Sequence, residues 1–170
     1  MSLTGGNGRT FWGAAIAVMA LDVVTKVLAE QSLQVHVPKR VLGDVVRFTL
    51  AHNPGAAFSM SLGPASRWVF GALAVVALVV LWNLYRRAAA QEGAKVLALG
   101  LAWGGAAGNL VDRVRSAQGV VDFIDIGVRN VRFWTFNVAD SGVTVGAVML
   151  GVILMREDRD PQRPQRAGGE

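Results

Sequence analysis

Cysteine is missing from this chain, and charged residues are scarce. The absence of cysteine among the 170 residues excludes a disulfide-stabilised secreted domain, a thiolate metal site and a cysteine nucleophile. Charged residues make up only 17% of the chain, against about 25% in soluble domains, which argues against a nucleic-acid-binding surface. Hydrophobic residues make up 52%, and the mean hydropathy is +0.40. This excess argues against a chain that is disordered as a whole and indicates a small integral membrane protein.

Four segments are apolar enough to cross a bilayer, which requires about 20 mostly apolar residues. They are residues 11–29, 68–85, 96–113 and 138–155. Apolar and polar side chains alternate over residues 46–51, which predicts a strand, and residues 117–135 contain further strand-like stretches. We therefore predict an all-α integral membrane fold with four transmembrane helices and a small β-platform on the outer (periplasmic) face.

The predicted domain boundaries and topology follow from charge. Residues 1–155 are expected to form one membrane-embedded domain, and the charged, proline-containing residues 156–170 a disordered cytoplasmic tail. In a four-span arrangement, eight basic residues fall on each side of the membrane. The shortest loop, residues 86–95, holds three of them, and positive charge in short loops favours the cytoplasm. Both termini are therefore predicted to be cytoplasmic.

Polar side chains interrupt the apolar segments at ends that an up-down bundle places on one membrane face. They are Asp22, Lys26, Asn109, Asp112, Arg113, Asn137 and Asp140, with Asp122 in the segment between the third and fourth spans. Ionisable groups at membrane depth cost about 2.5–3.5 kcal/mol each, so they usually face the interior and pair. Asp22 and Lys26 are four residues apart and share a helical face, which leaves both a mutual salt bridge and a direct role in the site open. The convergence predicts a functional site on this face.

Glycines at four-residue spacing occur in the third and fourth segments. They are Gly100, Gly104 and Gly108 in the third segment, and Gly142 and Gly146 in the fourth. Small residues at this spacing let two helices approach closely. We expect the third and fourth helices to pack closely here, which would bring Asp122 and Asp140 together.

Two adjacent carboxylates can share a proton, because like charges about 3 Å apart do not both ionise easily. The ionised carboxylate can then take a proton from water while the neutral one polarises a carbonyl group. This is aspartic-protease chemistry, for which we expect no metal and no cofactor. Asp122 and Asp140 are the candidate pair.

Other chemistries remain as alternatives. His36 and His52 lack the spacing of a zinc-protease motif, so we expect them to be surface or platform residues. Ser141 and Lys26 are candidates for a Ser–Lys dyad. Asp112, together with Asp122 and Asp140, would suit Mg²⁺ in a metal-dependent lipid-headgroup transferase. A small proton-coupled transporter would use the same acids as a proton relay.

Five short motifs occur in order along the chain. They are "DVVTK" at 22–26, "NPGAAFS" at 53–59, "GNLVDR" at 108–113, "VVDF" at 120–123 and "FNVADS" at 136–141. In these motifs the sequence resembles lipoprotein signal peptidases (signal peptidase II, prolipoprotein signal peptidase). The resemblance implies a multi-pass aspartic endopeptidase of the bacterial inner (cytoplasmic) membrane. It would cleave the signal peptide of prolipoproteins N-terminal to the diacylglyceryl-modified cysteine.

The resemblance also implies roles for individual residues. The catalytic residues would be Asp122 of "VVDF" and Asp140 of "FNVADS", at the outer face of the membrane, whereas Asp112 would not belong to the pair. The supporting residues it implies are Asp22, Lys26, Asn53, Asn109, Arg113 and Asn137. Gly55, with Ala56, would allow close approach of the substrate backbone or form an ordinary turn after Pro54. The expected partners are the prolipoprotein, membrane lipids and the inhibitor globomycin; we expect a monomer and no nucleic acid.

Overall fold

The computed structural model describes residues 6–55 and 63–158, and within these ranges it contains four long helices. They are α1 (Gly6–Ser32), α2 (Ser66–Arg87), α3 (Gly93–Arg115) and α4 (Val138–Glu157). All four are long and apolar enough to cross a membrane, which confirms the four predicted spans. The last helix continues two residues into the predicted tail. Residues 159–170 of that tail lie outside the described residues.

Helix α3 is the centre of the bundle, because it packs against each of the other three helices. A cluster of buried side chains forms the core at one end of the bundle, where Phe11 of α1 stacks on Tyr85 of α2 with the ring centroids 4.1 Å apart. Elsewhere α2 exposes apolar side chains, such as Val76 at 59%. Such a surface is expected of a helix that faces lipid.

The prediction for the glycines was partly wrong. A Cβ atom on Gly100 would lie 2.6 Å from the carbonyl oxygen of Phe11, so α3 packs against α1 at this position. Gly104 likewise faces the backbone of Ala15 in α1. The contact between α3 and α4 is close, as predicted, but it depends on Gly105, one position further round the helix, and on Gly146. Sequence spacing alone does not tell which neighbour a small-residue face meets.

Four strands form one antiparallel sheet in the order β1-β2-β3-β4, which confirms the predicted β-platform. They are β1 (Lys39–Leu42), β2 (Val46–Asn53), β3 (Val120–Val128) and β4 (Val131–Arg132). Leu50 of β2 packs with Ala29, Val121 and Phe123 in a buried cluster. This cluster attaches the β-platform to the end of α1 that carries Asp22 and Lys26.

Candidate active site

Asn137 connects the two candidate catalytic carboxylates. It is the N-cap of α4, where its Oδ1 accepts from the backbone N–H of Asp140 at 2.8 Å and its own N–H donates to the Asp140 carboxylate at 3.3 Å. This is a capping box, which satisfies two backbone donors reciprocally. Because a backbone N–H can only donate, the side-chain amide must turn its Nδ2 away from it. That Nδ2 donates to Oδ1 of Asp122 at 2.7 Å.

Asp122 lies near the start of β3 with only 4% of its surface exposed. Its second oxygen accepts from Nδ2 of Asn53, at the end of β2, at 3.3 Å. Burial of the carboxyl, followed by the negative charge of Asp140, raises the pKa of Asp122 to about 7. Asp122 therefore holds a proton more readily than an ordinary aspartate does.

Asp140 is also connected to Lys26, through two successive hydrogen bonds made by the side chain of Asn109. Nδ2 of Asn109 donates to Asp140 Oδ1 at 2.7 Å, and Oδ1 of Asn109 accepts from the Lys26 ammonium at 3.0 Å. An ammonium has no acceptor, so it fixes which end of the amide faces Asp140. The ammonium also pairs with Asp22 at 2.7 Å and with Asp112 at 2.8 Å. The mutual salt bridge, one of the two alternatives that the sequence left open, is therefore present, and in the described contacts Lys26 reaches Asp140 only through Asn109.

Arg113 and Gly55 organise the loop that follows β2. Arg113 donates to the carbonyl oxygen of Asn109 at 3.0 Å and to that of Gly55 at 3.2 Å. The N–H of Gly55 donates to Oδ1 of Asn53 at 3.0 Å, which makes a turn stabilised by the asparagine side chain. The turn is the alternative that the sequence offered for Gly55, while its neighbour Ala56 lies outside the described residues. Two segments of this chain also approach closely at Gly119, where a Cβ would lie 2.7 Å from Cα of Pro54.

A cavity of about 800 Å³ opens beside these groups. Asp122, Asp140, Asn53, Gly55, Asn109 and Arg113 all line it. The sequence interpretation did not place the segment Phe133–Phe136 or the pair Asp125 and Arg132 in the site, although all of them line the cavity. In the sequence, the aromatic residues just before the "FNVADS" motif are the signal that could have identified the segment Phe133–Phe136. His36 and His52, expected on the surface or platform, also lie in the cavity wall.

The geometry disfavours two of the alternative chemistries. Ser141 donates its hydroxyl to the carbonyl oxygen of Asn137 at 3.1 Å, while the Lys26 ammonium lies between two carboxylates, so the described contacts do not form a Ser–Lys dyad. Within residues 6–55 and 63–158, no three His, Asp or Glu side chains group together as a metal site would require. Asp112, which a Mg²⁺ site would need, pairs with Lys26 and Arg115. The arrangement is suited to acid–base chemistry by Asp122 and Asp140, whose carboxylates are both hydrogen-bonded to Asn137.

Comparisons with known proteins identify one family that this chain resembles in sequence, and a solved structure that it resembles in fold. Residues 14–156 match the family model described as signal peptidase (SPase) II. The lipoprotein signal peptidase of Mycobacterium tuberculosis is 41% identical over 151 residues, which cover 85% of this chain and 70% of that protein. The lipoprotein signal peptidase of Pseudomonas putida is 38% identical over 156 residues, covering 89% and 91%. A solved structure described as a bacterial membrane enzyme matches with a TM-score of 0.79 and 28% identity, covering 88% of this chain and 89% of that one.

Proposed function

Because this chain belongs to the signal peptidase II family, we propose that it is an aspartic endopeptidase that cleaves prolipoproteins just before the diacylglyceryl-modified cysteine. Membership of the family supports a protease that removes lipoprotein signal peptides. The catalytic pair in this proposal is Asp122 and Asp140. The observation that carries it is that Asn137 hydrogen-bonds both carboxylates in the wall of one cavity.

The two carboxyl groups take different roles in the proposed reaction. Asp122 carries the proton at rest, because its pKa is raised to about 7 by burial and by the charge of Asp140. Asp140 takes the role of the base, because Asn109 Nδ2 and the Asn137 backbone N–H both donate hydrogen bonds to its carboxylate and leave it as an acceptor. Each carboxyl is thus prepared for one half of an acid–base reaction.

Hydrolysis then proceeds in two steps without a covalent intermediate. Asp140 takes a proton from a water molecule, whose oxygen attacks the carbonyl carbon of the scissile peptide while Asp122 protonates the carbonyl oxygen. As the carbon–nitrogen bond breaks, Asp140 gives its proton to the leaving amine. Asp122 regains a proton from one hydroxyl of the tetrahedral intermediate, which restores the starting state.

The cavity suits a substrate that lies partly in lipid. It is lined both by residues of the β-platform, such as Asn53 and Asp122, and by residues of membrane helices, such as Asn109 and Asp140. We propose that the signal helix and the acyl chains stay in the bilayer while the extended cleavage segment enters the cavity. In this proposal the protein is a monomer of the bacterial inner membrane, with the site at the outer face and both termini in the cytoplasm.

Purified protein in detergent tests the proposal with a diacylglyceryl-modified prolipoprotein as substrate. Mass spectrometry of the products is expected to show cleavage only at the bond before the modified cysteine, unchanged by a chelator and blocked by globomycin. The same prolipoprotein without the diacylglyceryl group is the matched control and should remain uncut. Cleavage at another bond, loss of activity with the chelator, or no cleavage at all would contradict the proposal.

A further inference from the structure

We propose that the buried triad Asp22–Lys26–Asp112 is a positioning unit that sets the location of both catalytic carboxylates, with Asp112 fixing Asp122. This inference rests on the proposed function, since it assigns a role within the same reaction. It concerns a residue, Asp112, that the resemblance left without a role.

The triad lies behind the cavity and not in its wall. Asp22, Lys26 and Asp112 are 0%, 1% and 2% exposed, and none of them is among the described residues that line the cavity. A substrate in the cavity therefore does not touch them. Any effect they have on the reaction must act through other residues.

Each carboxylate of the triad accepts a backbone N–H directly before a catalytic aspartate. Asp112 Oδ2 accepts from the N–H of Val121 at 3.2 Å, and Asp22 Oδ1 accepts from the N–H of Ala139 at 2.9 Å. Val121 and Ala139 are themselves fully buried, so the two amides have no freedom to shift into solvent. The backbone that carries Asp122 and the backbone that carries Asp140 are thus held by one cluster.

Lys26 joins the two halves of this arrangement. Its ammonium contacts both carboxylates and also Oδ1 of Asn109, whose Nδ2 donates to Asp140. The cluster links α1 and α3 to the start of β3 and the start of α4, which are the elements that carry the reacting groups.

Stability alone is a poor reason for such a cluster. The cluster places two carboxyl groups and one ammonium where water is excluded, and buried ion pairs are often no more stable than apolar residues of the same volume. The contacts to the Val121 and Ala139 amides give the cluster a use that apolar residues do not offer. A displacement of about 1 Å at reacting groups costs about 10²-fold in rate.

Two substitutions of Asp112 separate position from charge. Asp112→Asn removes the charge, but its Oδ1 can still accept from Lys26 and Val121, while Arg115 can turn its exposed guanidinium toward solvent. Asp112→Glu keeps the charge and the ion pair, but it adds one carbon–carbon bond of about 1.5 Å and displaces the Val121 amide. The measurements are kcat and KM for cleavage of the lipidated prolipoprotein, and thermal unfolding of each variant in detergent.

The proposal predicts that Asp112→Glu lowers kcat about 10²-fold with KM within about twofold of wild type, and that Asp112→Asn retains most of kcat. It is overturned if the Asn variant loses more kcat than the Glu variant, if KM carries the loss, or if neither kcat changes. Failure of either variant to fold also overturns it, because Asp112 would then serve the fold and not the position of Asp122. If wild type itself leaves the prolipoprotein uncut, the proposed function fails first, which keeps the two failures apart.

Discussion

Replacement of Lys26 by methionine is the most informative perturbation of the bundle. Lys26 is 1% exposed, and its ammonium lies 2.7 Å from Asp22 and 2.8 Å from Asp112, both of which are buried. Methionine keeps the length and the apolar stem of the side chain but removes the positive charge. Two carboxylates then remain inside the protein without a cation between them.

The magnitude of the effect follows from burial. Removing one partner of a buried ion pair costs about 3–5 kcal/mol, because the remaining charge is left uncompensated. For a chain of this length, 1 kcal/mol shifts Tm by about 2–4 °C. Lys26→Met is therefore expected to lower Tm by roughly 6–20 °C.

Lys95 offers a matched control of the same residue type. Its ammonium also contacts two carboxylates, Glu92 at 3.2 Å and Glu157 at 3.6 Å, but its side chain is 20% exposed at the other end of the bundle. These three side chains are only partly buried, so water screens the Lys95 pairs more than those of Lys26. Lys95→Met is therefore expected to lower Tm by clearly less than Lys26→Met does. The Tm values of both variants are compared by thermal unfolding in the same detergent and at the same near-neutral pH.

A rescue experiment tests whether uncompensated charge is the cause. Adding Asp22→Asn and Asp112→Asn to Lys26→Met removes both buried carboxylates and should recover most of the lost Tm. The reasoning is refuted if Lys26→Met costs no more than Lys95→Met. It is refuted as well if the triple variant is less stable than Lys26→Met alone.

Three further predictions concern the site and the helix contacts. The pKa of Asp122 rises from 3.8 to about 7 on folding, so ionisation of this carboxyl group opposes folding between those two pH values. Asp122→Asn should therefore gain stability relative to wild type as the pH rises through this range, by about 4 kcal/mol at most. A Tm difference between the two proteins that is the same at pH 4 and pH 8 would contradict this. Asn53→Ala removes a hydrogen bond that favours the ionised form of Asp122, so it should raise the pKa of Asp122 further. The pH–rate profile of cleavage should then shift to higher pH, and an unchanged profile would contradict the prediction. Gly104→Ala places a Cβ 2.8 Å from Cα of Ala15 and should lower the free energy of unfolding by about 1–3 kcal/mol. Gly71→Ala is the control, because a Cβ there has no packing neighbour within 4 Å and should not destabilise α2. Equal Tm values for the two glycine variants would show that the contact between α3 and α1 is not tight.

The four helices could be predicted from sequence because lipid demands long apolar runs. Residues 68–85 were predicted as a span, and α2 is Ser66–Arg87. Strand β1 was not predicted, because all four of its residues are exposed and no alternation marks it. The partner of the Gly100–Gly104 face was also beyond the sequence, because the spacing of small residues does not say which helix they meet.

Much of the candidate site could be predicted because polar groups are rare and conspicuous in apolar segments. Five polar residues predicted for this face are connected by an ion pair and hydrogen bonds beside and behind the cavity: Asp22, Lys26, Asn109, Asn137 and Asp140. Their catalytic and supporting roles remain predictions.

The backbone contacts of the site could not be predicted from the sequence. The hydrogen bond from the Val121 N–H to Asp112 depends on how β3 meets the end of α3. The position of Arg132 and Asp125 in the cavity wall depends on the register of the sheet, in which Arg47 pairs with Asp125. Neither feature leaves a pattern in the chain.

The cleavage rates of Asp122→Asn and Asp140→Asn test the central claim most directly. Asp44→Asn is the control, because Asp44 is a carboxylate of the same β-platform that is not among the described residues lining the cavity. With each variant shown to be folded by thermal unfolding, the two substitutions in the pair should each lower cleavage of the lipidated prolipoprotein by about 10²–10⁴-fold, while Asp44→Asn stays near wild type. If either Asp122→Asn or Asp140→Asn cleaves at the wild-type rate, the two carboxylates are not the catalytic pair.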